Sequence, residues 1–157
     1  MLNMIVKFQT DIELKRKEKI PGDMTRFHFT SKRKRMSTII ENCGSTEHGY
    51  DRRVHMKGAA EYVLASCTHY LNQDGEKIQL HDEMKSNLLQ IIHQYASQAL
   101  RTICLAYKDL KQGEGGHNHD DMDEDGVLRF VEKTGYTLIG ILGIKDIIRQ
   151  EVPGAVA

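Results

Sequence analysis

Apolar and polar residues alternate with a period of two in the first clearly patterned part of the chain. Phe27 and Phe29 flank one polar residue, and the run 36–40 (MSTII) is rich in β-branched side chains. Because successive side chains of a strand point to opposite faces, this pattern predicts short strands with Phe27 and Phe29 on one face. The polar, glycine-containing stretch 43–51 follows. We therefore predict a hairpin that pairs 36–40 with 54–57.

Beyond this hairpin the apolar spacing changes to that of helices and buried strands. Residues 58–65 predict a short helix, and residues 72–75 (NQDG) predict a turn. The clearest helix is predicted over 82–100, and the residues of its apolar stripe are expected to pack in the core. They are Leu88, Ile91, Ile92, Tyr95 and Ala99. The apolar runs 102–107 and 137–144 predict buried strands. The sequence thus predicts an α/β (α+β) fold, a mainly antiparallel sheet flanked by helices.

The first 25 residues have a weaker pattern. Residues 10–19 predict a short helix with Thr10 as its N-cap and Glu13 three positions later. A Pro-Gly pair at 21–22 is expected to end that helix. We treat residues 1–25 as a poorly defined N-terminal segment.

Charge and cysteine usage narrow the class of protein. Lysine and arginine together number 22, as do aspartate and glutamate, so the formal net charge is zero and no overall field favours nucleic acid or anionic lipid. Cys43, Cys67 and Cys104 are far apart in the sequence, which indicates reduced thiols in an intracellular setting. The longest apolar stretch, 136–144, is about half of a membrane-spanning helix. We expect a soluble, cytoplasmic chain with no direct membrane contact and no nucleic-acid partner.

Two short segments carry the chemistry of a nucleotide site. Residues 27–37 (FHFTSKRKRMS) place an aromatic side chain beside a cationic run, and residues 57–61 (KGAAE) place a lysine before small residues. An aromatic ring offers a base a stacking surface that contributes about 1–3 kcal/mol. Cationic side chains bind phosphates, and small residues permit close approach of the backbone to an anion. These features indicate nucleotide binding without specifying it.

The same segments resemble the nucleotide-binding domain of P-type cation-transporting ATPases. Residues 27–37 resemble the FxFxSxRKxMS segment of that family, and residues 52–61 (RRVHMKGAAE) resemble its strand ending in KGAxE. Residues 100–110 (LRTICLAYKDL) resemble the segment after the long helix of these pumps. Residues 137–152 (TLIGILGIKDIIRQEV) resemble the return strand towards the phosphorylation domain. The four segments follow the family's order over most of 26–153. Their amino-acid sequences are most similar to those of plasma-membrane-type calcium pumps.

The resemblance implies roles for six residues. Phe29 would stack on adenine, and Lys34 and Lys57 would line the pocket for adenine and ribose. Gly58–Ala59 would form a close backbone wall, and Arg101 would reach the phosphates. ATP, with its Mg²⁺, is therefore the expected ligand.

The resemblance also implies an organisation and a function. Residues 26–144 would form the nucleotide-binding domain, incomplete at its start, and residues 145–157 would begin the hinge, with Asp146 and Arg149 at its end. The chain would be an ATP-binding fragment of a calcium-transporting pump that presents ATP to a phosphorylation domain. The phosphorylation and actuator domains of a complete pump would be its partners. The parent pump would sit in a membrane with this domain on the cytosolic side.

Departures from the family pattern limit the expected activity. Ile147 stands where the family usually has a proline, and the aspartyl-phosphate motif DKTGT does not occur. The similar letters at 132–135 (EKTG) lie just before the return strand, and we interpret them as a coincidence. We therefore expect no ATP turnover by the chain alone.

One alternative function is a non-catalytic calcium-binding module. Residues 121–132 (DMDEDGVLRFVE) match the twelve-residue EF-hand pattern, in which Glu132 takes the twelfth position. Glycines on both flanks disfavour the helices that an EF-hand needs, and Arg129 adds a positive charge among the ligand positions. An acidic surface loop over 112–126 is the preferred interpretation. The same loop contains a weaker candidate for a loose metal site, formed by His117, His119 and Asp120.

A second alternative is a small nucleic-acid-binding module. It would use the basic run 32–35 (KRKR) together with Phe27 and Phe29. A single short basic run in a chain of zero net charge disfavours sustained binding to a phosphate backbone.

Overall fold

A computed structural model describes residues 11, 13–14, 17, 24–45, 50–111 and 130–145. From residue 24 onwards the described residues form strands, two α-helices and one 3-10 helix. In chain order these are β1 (Met24–Phe27), β2 (Arg35–Ser45), β3 (Tyr50–Ala59), α1 (Ala60–Ala65), β4 (Cys67–Leu71), β5 (Lys77–Gln79), α2 (Asp82–Ser97), β6 (Leu100–Lys111), the 3-10 helix (Phe130–Glu132) and β7 (Tyr136–Lys145).

The strands belong to one mixed sheet. Its order is β1-β2-β3-β6-β7-β4-β5, so the predicted hairpin partners β2 and β3 are neighbours. Strands β1 and β2 are antiparallel, as are β4 and β5, whereas β4 and β7 are parallel. The predicted α/β fold class is confirmed. The parallel pair was not predicted, because its two strands are joined through distant parts of the chain.

The chain divides into two compact units, which are described separately. The first unit comprises residues 1–56 and 107–133, and the second comprises residues 57–106 and 134–157. Strands β3 and β6 contribute residues to both units, because the division falls within them.

The core of the first unit follows the alternation of its strands. In β3 the even-numbered side chains from Arg52 to Met56 are buried, whereas Arg53 and His55 are more open to solvent. This is the period-two pattern that a strand imposes when one of its faces is packed. The buried apolar residues of this unit are Phe27, Ile39, Val54, Met56, Leu110 and Val131.

The two phenylalanines do not share a strand face, so that prediction is wrong. Strand β1 ends at Phe27, which is buried opposite Ser37 of β2. Phe29 lies beyond the strand and is 56% exposed. The alternation of faces applies only within a strand, and the sequence pattern did not mark where β1 ends.

The second unit has its core between its sheet strands and its two helices. Helices α1 and α2 contact each other, and β4 lies between β5 and β7. The buried apolar residues of this unit are Ala60, Val63, Leu64, Cys67, Leu80, Ile92, Cys104, Ala106, Tyr136 and Leu138. Gly143 packs closely against Leu100, because a Cβ at 143 would lie 2.9 Å from Cδ1 of Leu100.

Helix α2 is shorter than predicted, and most of its apolar stripe is not core. It ends at Ser97, and Ala99 has a left-handed backbone (φ +57°), a conformation common just after helix ends. Ile92 is fully buried, but Ile91 is 39% exposed and Ala99 is also exposed. Leu88 and Tyr95 are half-buried. The prediction of a packed stripe is therefore correct for Ile92 alone.

Three other residues of the stripe, Leu88, Ile91 and Tyr95, line an open groove. This groove has a volume of about 330 Å³ and is bordered by α2, β4 and β7. Its lining residues are Tyr70, Leu71, Met84, Leu88, Ile91, Tyr95, Leu138, Ile139, Gly140 and Ile141. Helical periodicity identifies an apolar face, but it does not determine how closely neighbouring elements cover that face.

Two local predictions concern a turn and a helix start. The turn at 72–75 is confirmed: the Asn72 side-chain oxygen accepts hydrogen bonds from the backbone N–H groups of Asp74 and Glu76. Near the N-terminus, the Asp11 carboxylate accepts bonds from the N–H groups of Glu13 and Leu14, which is N-cap geometry. Asp11 therefore takes the capping role predicted for Thr10. Among the described residues, no helix is long and apolar enough to cross a membrane.

Candidate nucleotide-binding site

A hydrogen-bonded loop in the first unit presents Phe29 at the surface. The residues on both sides of Phe29 are held through their own polar atoms. Arg33 Nη1 donates to the carbonyl oxygen of His28 at 2.6 Å. On the other side, the Thr30 hydroxyl accepts from the Arg33 N–H at 3.1 Å, and the Thr30 carbonyl accepts from the Lys34 N–H at 2.9 Å. The Phe29 ring is therefore exposed to solvent on an ordered backbone.

Lys34 closes this loop in an unusual backbone conformation. Its φ is +57°, in the left-handed region that costs a residue with a side chain about 1–2 kcal/mol. Its side chain is half-buried. Residues held in such conformations are often found at ligand sites, where the surrounding structure maintains them.

The loop is anchored to a carboxylate from a distant part of the first unit. Arg33 Nη2 and Ser37 Oγ both donate to Oε1 of Glu132. The side chain of Glu132 is 0% exposed and that of Arg33 is 12% exposed. Sequence reasoning missed this ion pair because its partners are 99 residues apart, and no local pattern connects them.

The second unit contains the remaining four candidate residues. Lys57 is an exposed residue near the end of β3, between the buried Met56 and the buried Gly58. Ala59 is half-buried and is the N-cap residue of α1. Arg101 is exposed near the start of β6.

The six predicted residues thus occur in two groups. Phe29 and Lys34 lie in one loop of the first unit. Lys57 and Gly58–Ala59 are consecutive in β3 of the second unit, and Arg101 is on β6 of that unit. Hydrogen bonds within the loop fix the separation of Phe29 and Lys34 along the backbone, and strand β3 fixes that of Lys57, Gly58 and Ala59. The hinge candidates and the weaker metal candidates, Asp146, Arg149, His117, His119 and Asp120, lie outside the described residues.

Comparison with protein families decides the class of this chain. A family model described as "P-type ATPase, cytoplasmic domain N" matches residues 2–151. The chain belongs to the P-type ATPase domain N family. The match includes most of residues 1–25, where the sequence pattern alone was weak.

Curated relatives of this domain N are calcium pumps by name. Calcium-transporting ATPase 3, plasma membrane-type, from Oryza sativa subsp. japonica is 41% identical over 129 residues, which cover 82% of this chain and 11% of that protein. Calcium-transporting ATPase 2, plasma membrane-type, from Arabidopsis thaliana is 40% identical over 128 residues, again 82% of this chain and 11% of the relative. Plasma membrane calcium-transporting ATPase 4 from Bos taurus is 36% identical over 132 residues, 83% of this chain and 10% of the relative. The chain spans about a tenth of the length of these relatives, and the resemblance to plasma-membrane-type calcium pumps is confirmed.

The structure of this domain N gives no support to the calcium-binding alternative. The twelfth position of an EF-hand supplies a glutamate whose two oxygens bind the ion. Here that residue, Glu132, is buried and accepts hydrogen bonds from Arg33 and Ser37. Residues 112–129, which contain the first nine positions of the pattern, lie outside the described residues.

The nucleic-acid alternative is likewise without support. Two of the four cationic residues in the run 32–35 are used within the protein. Arg33 pairs with Glu132, and Arg35 is 5% exposed and donates from Nε to the Arg33 carbonyl at 3.3 Å. Binding to a phosphate backbone requires cations that are accessible to it.

A second arginine–carboxylate pair in the first unit was also missed by the sequence reasoning. Arg53 donates to both carboxylate oxygens of Asp109, at 2.5 and 3.0 Å, and its guanidinium lies 4.6 Å from the Tyr107 ring centroid. Side-chain exposures of 36% for Arg53 and 22% for Asp109 make this pair more open than Arg33–Glu132. Arg53 and His55 are two residues apart in β3, so their side chains lie on the same face of the strand.

His55 is expected to make the stability of domain N depend on pH. Desolvation and the nearby Arg53 guanidinium lower the pKa of His55, and Asp109 opposes them only in part. The unfolded chain therefore binds a proton at His55 more readily than the folded chain, so the free energy of unfolding should fall as pH decreases through about 6.5. Because the imidazole keeps solvent access, the effect should be modest.

Urea unfolding at a series of pH values between about 5 and 8 measures this effect. The His55→Gln variant should lose part of the wild-type decrease in stability on the acid side. An identical pH dependence in the variant and the wild type would contradict the assignment.

Cys67 and Cys104 are core residues of the second unit. Both are free and buried. Its side-chain hydrogen bond with Cys67 and its burial raise the pKa of the Cys104 thiol. A thiol that resists ionisation is a poor nucleophile, so this pair contributes packing.

Proposed function

We propose that this chain binds ATP as the nucleotide-binding domain of a calcium-transporting P-type ATPase. Membership of the domain N family carries the proposal. The exposed Phe29 ring supports it, because the ring lies on an ordered loop and offers a free face to a base. Calcium is proposed as the transported ion because the relatives are named calcium-transporting ATPases.

The proposed roles of the six residues follow the family motifs. Phe29 stacks on adenine, and Lys34 and Lys57 line the adenine and ribose pocket. Gly58–Ala59 forms the backbone wall, supported by the absence of any large side chain at these two positions. Arg101 attracts the phosphates with a positive charge that does not titrate at physiological pH.

In this proposal Mg²⁺ binds together with ATP. Among the described residues, no three histidine, cysteine or acidic side chains cluster closely enough to hold a metal ion. The proposal therefore assigns Mg²⁺ to the ATP phosphates and gives it no protein ligand.

In a complete pump, domain N would act by bringing ATP to an aspartate of the phosphorylation domain. The sequence contains no DKTGT motif, so this chain contributes binding and positioning rather than the phosphorylated group. Holding two reactants in place removes much of the entropic barrier to their reaction. The phosphorylation and actuator domains are the proposed partners, on the cytosolic side of the membrane.

Replacing Phe29 by alanine tests the stacking role. We expect the wild-type chain to bind ATP with a dissociation constant of about 0.1–1 mM, or about 4–5.5 kcal/mol. The Phe29→Ala variant should bind at least about fivefold more weakly, because stacking contributes about 1–3 kcal/mol and the substituted side chain is exposed. An NMR titration with ATP, with and without Mg²⁺, measures both constants.

Matched variants separate this effect from a general loss of structure. Ile139→Ala removes an apolar side chain of similar exposure, 46%, that has no proposed role, and it should leave ATP affinity unchanged. Lys57→Ala should weaken ATP binding, whereas Lys77→Ala, an exposed lysine on β5, should not. A folded wild-type chain that does not bind ATP would overturn the proposed function. Unchanged affinity in Phe29→Ala would overturn the stacking assignment alone.

A further inference from the structure

A continuous set of contacts connects Glu132 to the backbone beside Phe29. The Glu132 carboxylate accepts a hydrogen bond from Arg33 Nη2, and Nη1 of the same guanidinium donates to the His28 carbonyl. His28 directly precedes Phe29 in the sequence. One planar guanidinium thus joins a buried carboxylate to the residue that sets the position of the exposed ring.

The anchoring residue itself cannot move easily. Its side chain is 0% exposed, and Ser37 of β2 donates a second hydrogen bond to the same oxygen. Val131, directly before it, is also buried. Because Ser37 is fully buried, the carboxylate is tied to the sheet as well as to the loop. Glu132 is therefore a fixed point from which the position of Arg33 is set.

The loop needs such an anchor because few of its residues are held by burial. From 28 to 32 every residue is exposed, and strand pairing of β1 ends at Phe27. An exposed loop without an anchor samples many conformations, and a ligand that orders it must overcome that entropy. With the Arg33 guanidinium in place, the loop is already ordered before a base arrives.

We propose that Glu132 is a positioning residue for ATP, which holds Phe29 in a base-stacking position through Arg33. This inference rests on the proposed function of the chain. Glu132 does not contact the nucleotide in this proposal. It acts by fixing the backbone at His28, directly before Phe29, so its removal weakens the part of ATP affinity that depends on Phe29.

A double-mutant cycle tests this dependence. The four proteins are the wild type, Glu132→Gln, Phe29→Ala and the variant with both changes, and ATP affinity is measured for each. Glu132→Gln should weaken ATP binding about 2- to 10-fold, comparable to the cost of ordering a side chain on binding. In the Phe29→Ala background the same change should have an effect of less than about twofold, because no stacking remains to be lost.

A second measurement needs no ligand. Amide hydrogen exchange of residues 28–34 in the ATP-free chain should be faster in Glu132→Gln than in the wild type. Asp109→Asn breaks a different arginine–carboxylate pair of the first unit, and it should leave both loop exchange and ATP affinity unchanged. This control separates the anchor from the general effect of removing an ion pair.

A third variant covers the case in which Glu132→Gln does not fold. Arg33→Gln combined with Glu132→Gln removes both charges, so no buried charge is left unpaired. It should fold and should show the same fast loop exchange and the same dependence on Phe29.

The outcomes distinguish this inference from the proposed function. An equal loss of ATP affinity in the presence and absence of Phe29 would show that Glu132 acts by another route, and the inference would be wrong. Unchanged exchange of residues 28–34 in the folded variants would also overturn it. If the folded wild-type chain does not bind ATP, the proposed function fails, and the inference that Glu132 positions Phe29 for ATP fails with it. The exchange measurement then shows whether Glu132 still orders the loop.

Discussion

Replacing Glu132 by alanine is expected to lower the free energy of unfolding by about 3–5 kcal/mol. The change removes the carboxylate of a buried ion pair and leaves the Arg33 guanidinium, 12% exposed, without that partner. It also removes an acceptor of the buried Ser37 hydroxyl. An uncompensated buried charge is costly because the protein interior solvates it poorly. A domain of ordinary stability, about 5–15 kcal/mol, would lose a large fraction of its folding free energy.

Asp109→Ala is the matched control for this prediction. It removes a carboxylate that also pairs with an arginine, but at side-chain exposures of 22% and 36%. Water screens and replaces such a pair, so we expect a loss of about 1 kcal/mol or less. Urea unfolding of both variants and the wild type, followed by circular dichroism, gives the two differences. Equal losses in the two variants would contradict the role assigned to burial.

Replacing Ile92 by alanine is expected to lower the free energy of unfolding by about 2–5 kcal/mol. Ile92 is 0% exposed, and it is the one fully buried side chain of α2, a helix that is described throughout. The substitution removes three side-chain carbon atoms from the core and leaves a cavity that the surroundings fill only in part. Because α2 has no second fully buried side chain, the packing of the helix against the rest of its unit depends strongly on Ile92.

The neighbouring residue provides the control. Ile91→Ala makes the same chemical change on the same helix, but at a side chain that is 39% exposed and lines the open groove. Alanine has a higher helix propensity than isoleucine, which offsets part of the small loss of contact. We expect a change within about 1 kcal/mol, measured by the same urea titration. A loss at Ile91 equal to that at Ile92 would show that the whole stripe is core, as its periodicity had predicted.

Helix α2 shows what the spacing of apolar residues predicts and what it does not predict. The spacing of apolar residues correctly predicted a helix from residue 82, because the 3.6-residue repeat is a property of the local sequence. Which of those residues are buried depends on β4 and β7, whose positions are set elsewhere in the chain. The same reasoning explains why the strand over 102–107 was found but its partners were not.

The loop around Phe29 shows the corresponding limit for the site. Residues 27–37 carry a family motif, so the candidate ring and lysine were identified from local sequence alone. The alternation of Phe27 and Phe29 was misleading, because the strand ends between them. The anchor of the loop was not predictable from any local pattern, since Glu132 fits two short motifs whose functions the structure does not support.

The sequence by itself determined the family of this protein, its α/β class and the six residues proposed to bind ATP. These depend on short motifs and on repeats of two and 3.6 residues, which are encoded by neighbouring positions. Only the tertiary structure decided that Phe29 is exposed on an ordered loop, that Ile92 is the one fully buried side chain of α2, and that Glu132 is a buried partner of Arg33. Burial and ion pairing of this kind arise between segments that are far apart along the chain. Such segments stabilise each other through contacts in space, and the order of neighbouring residues does not encode those contacts.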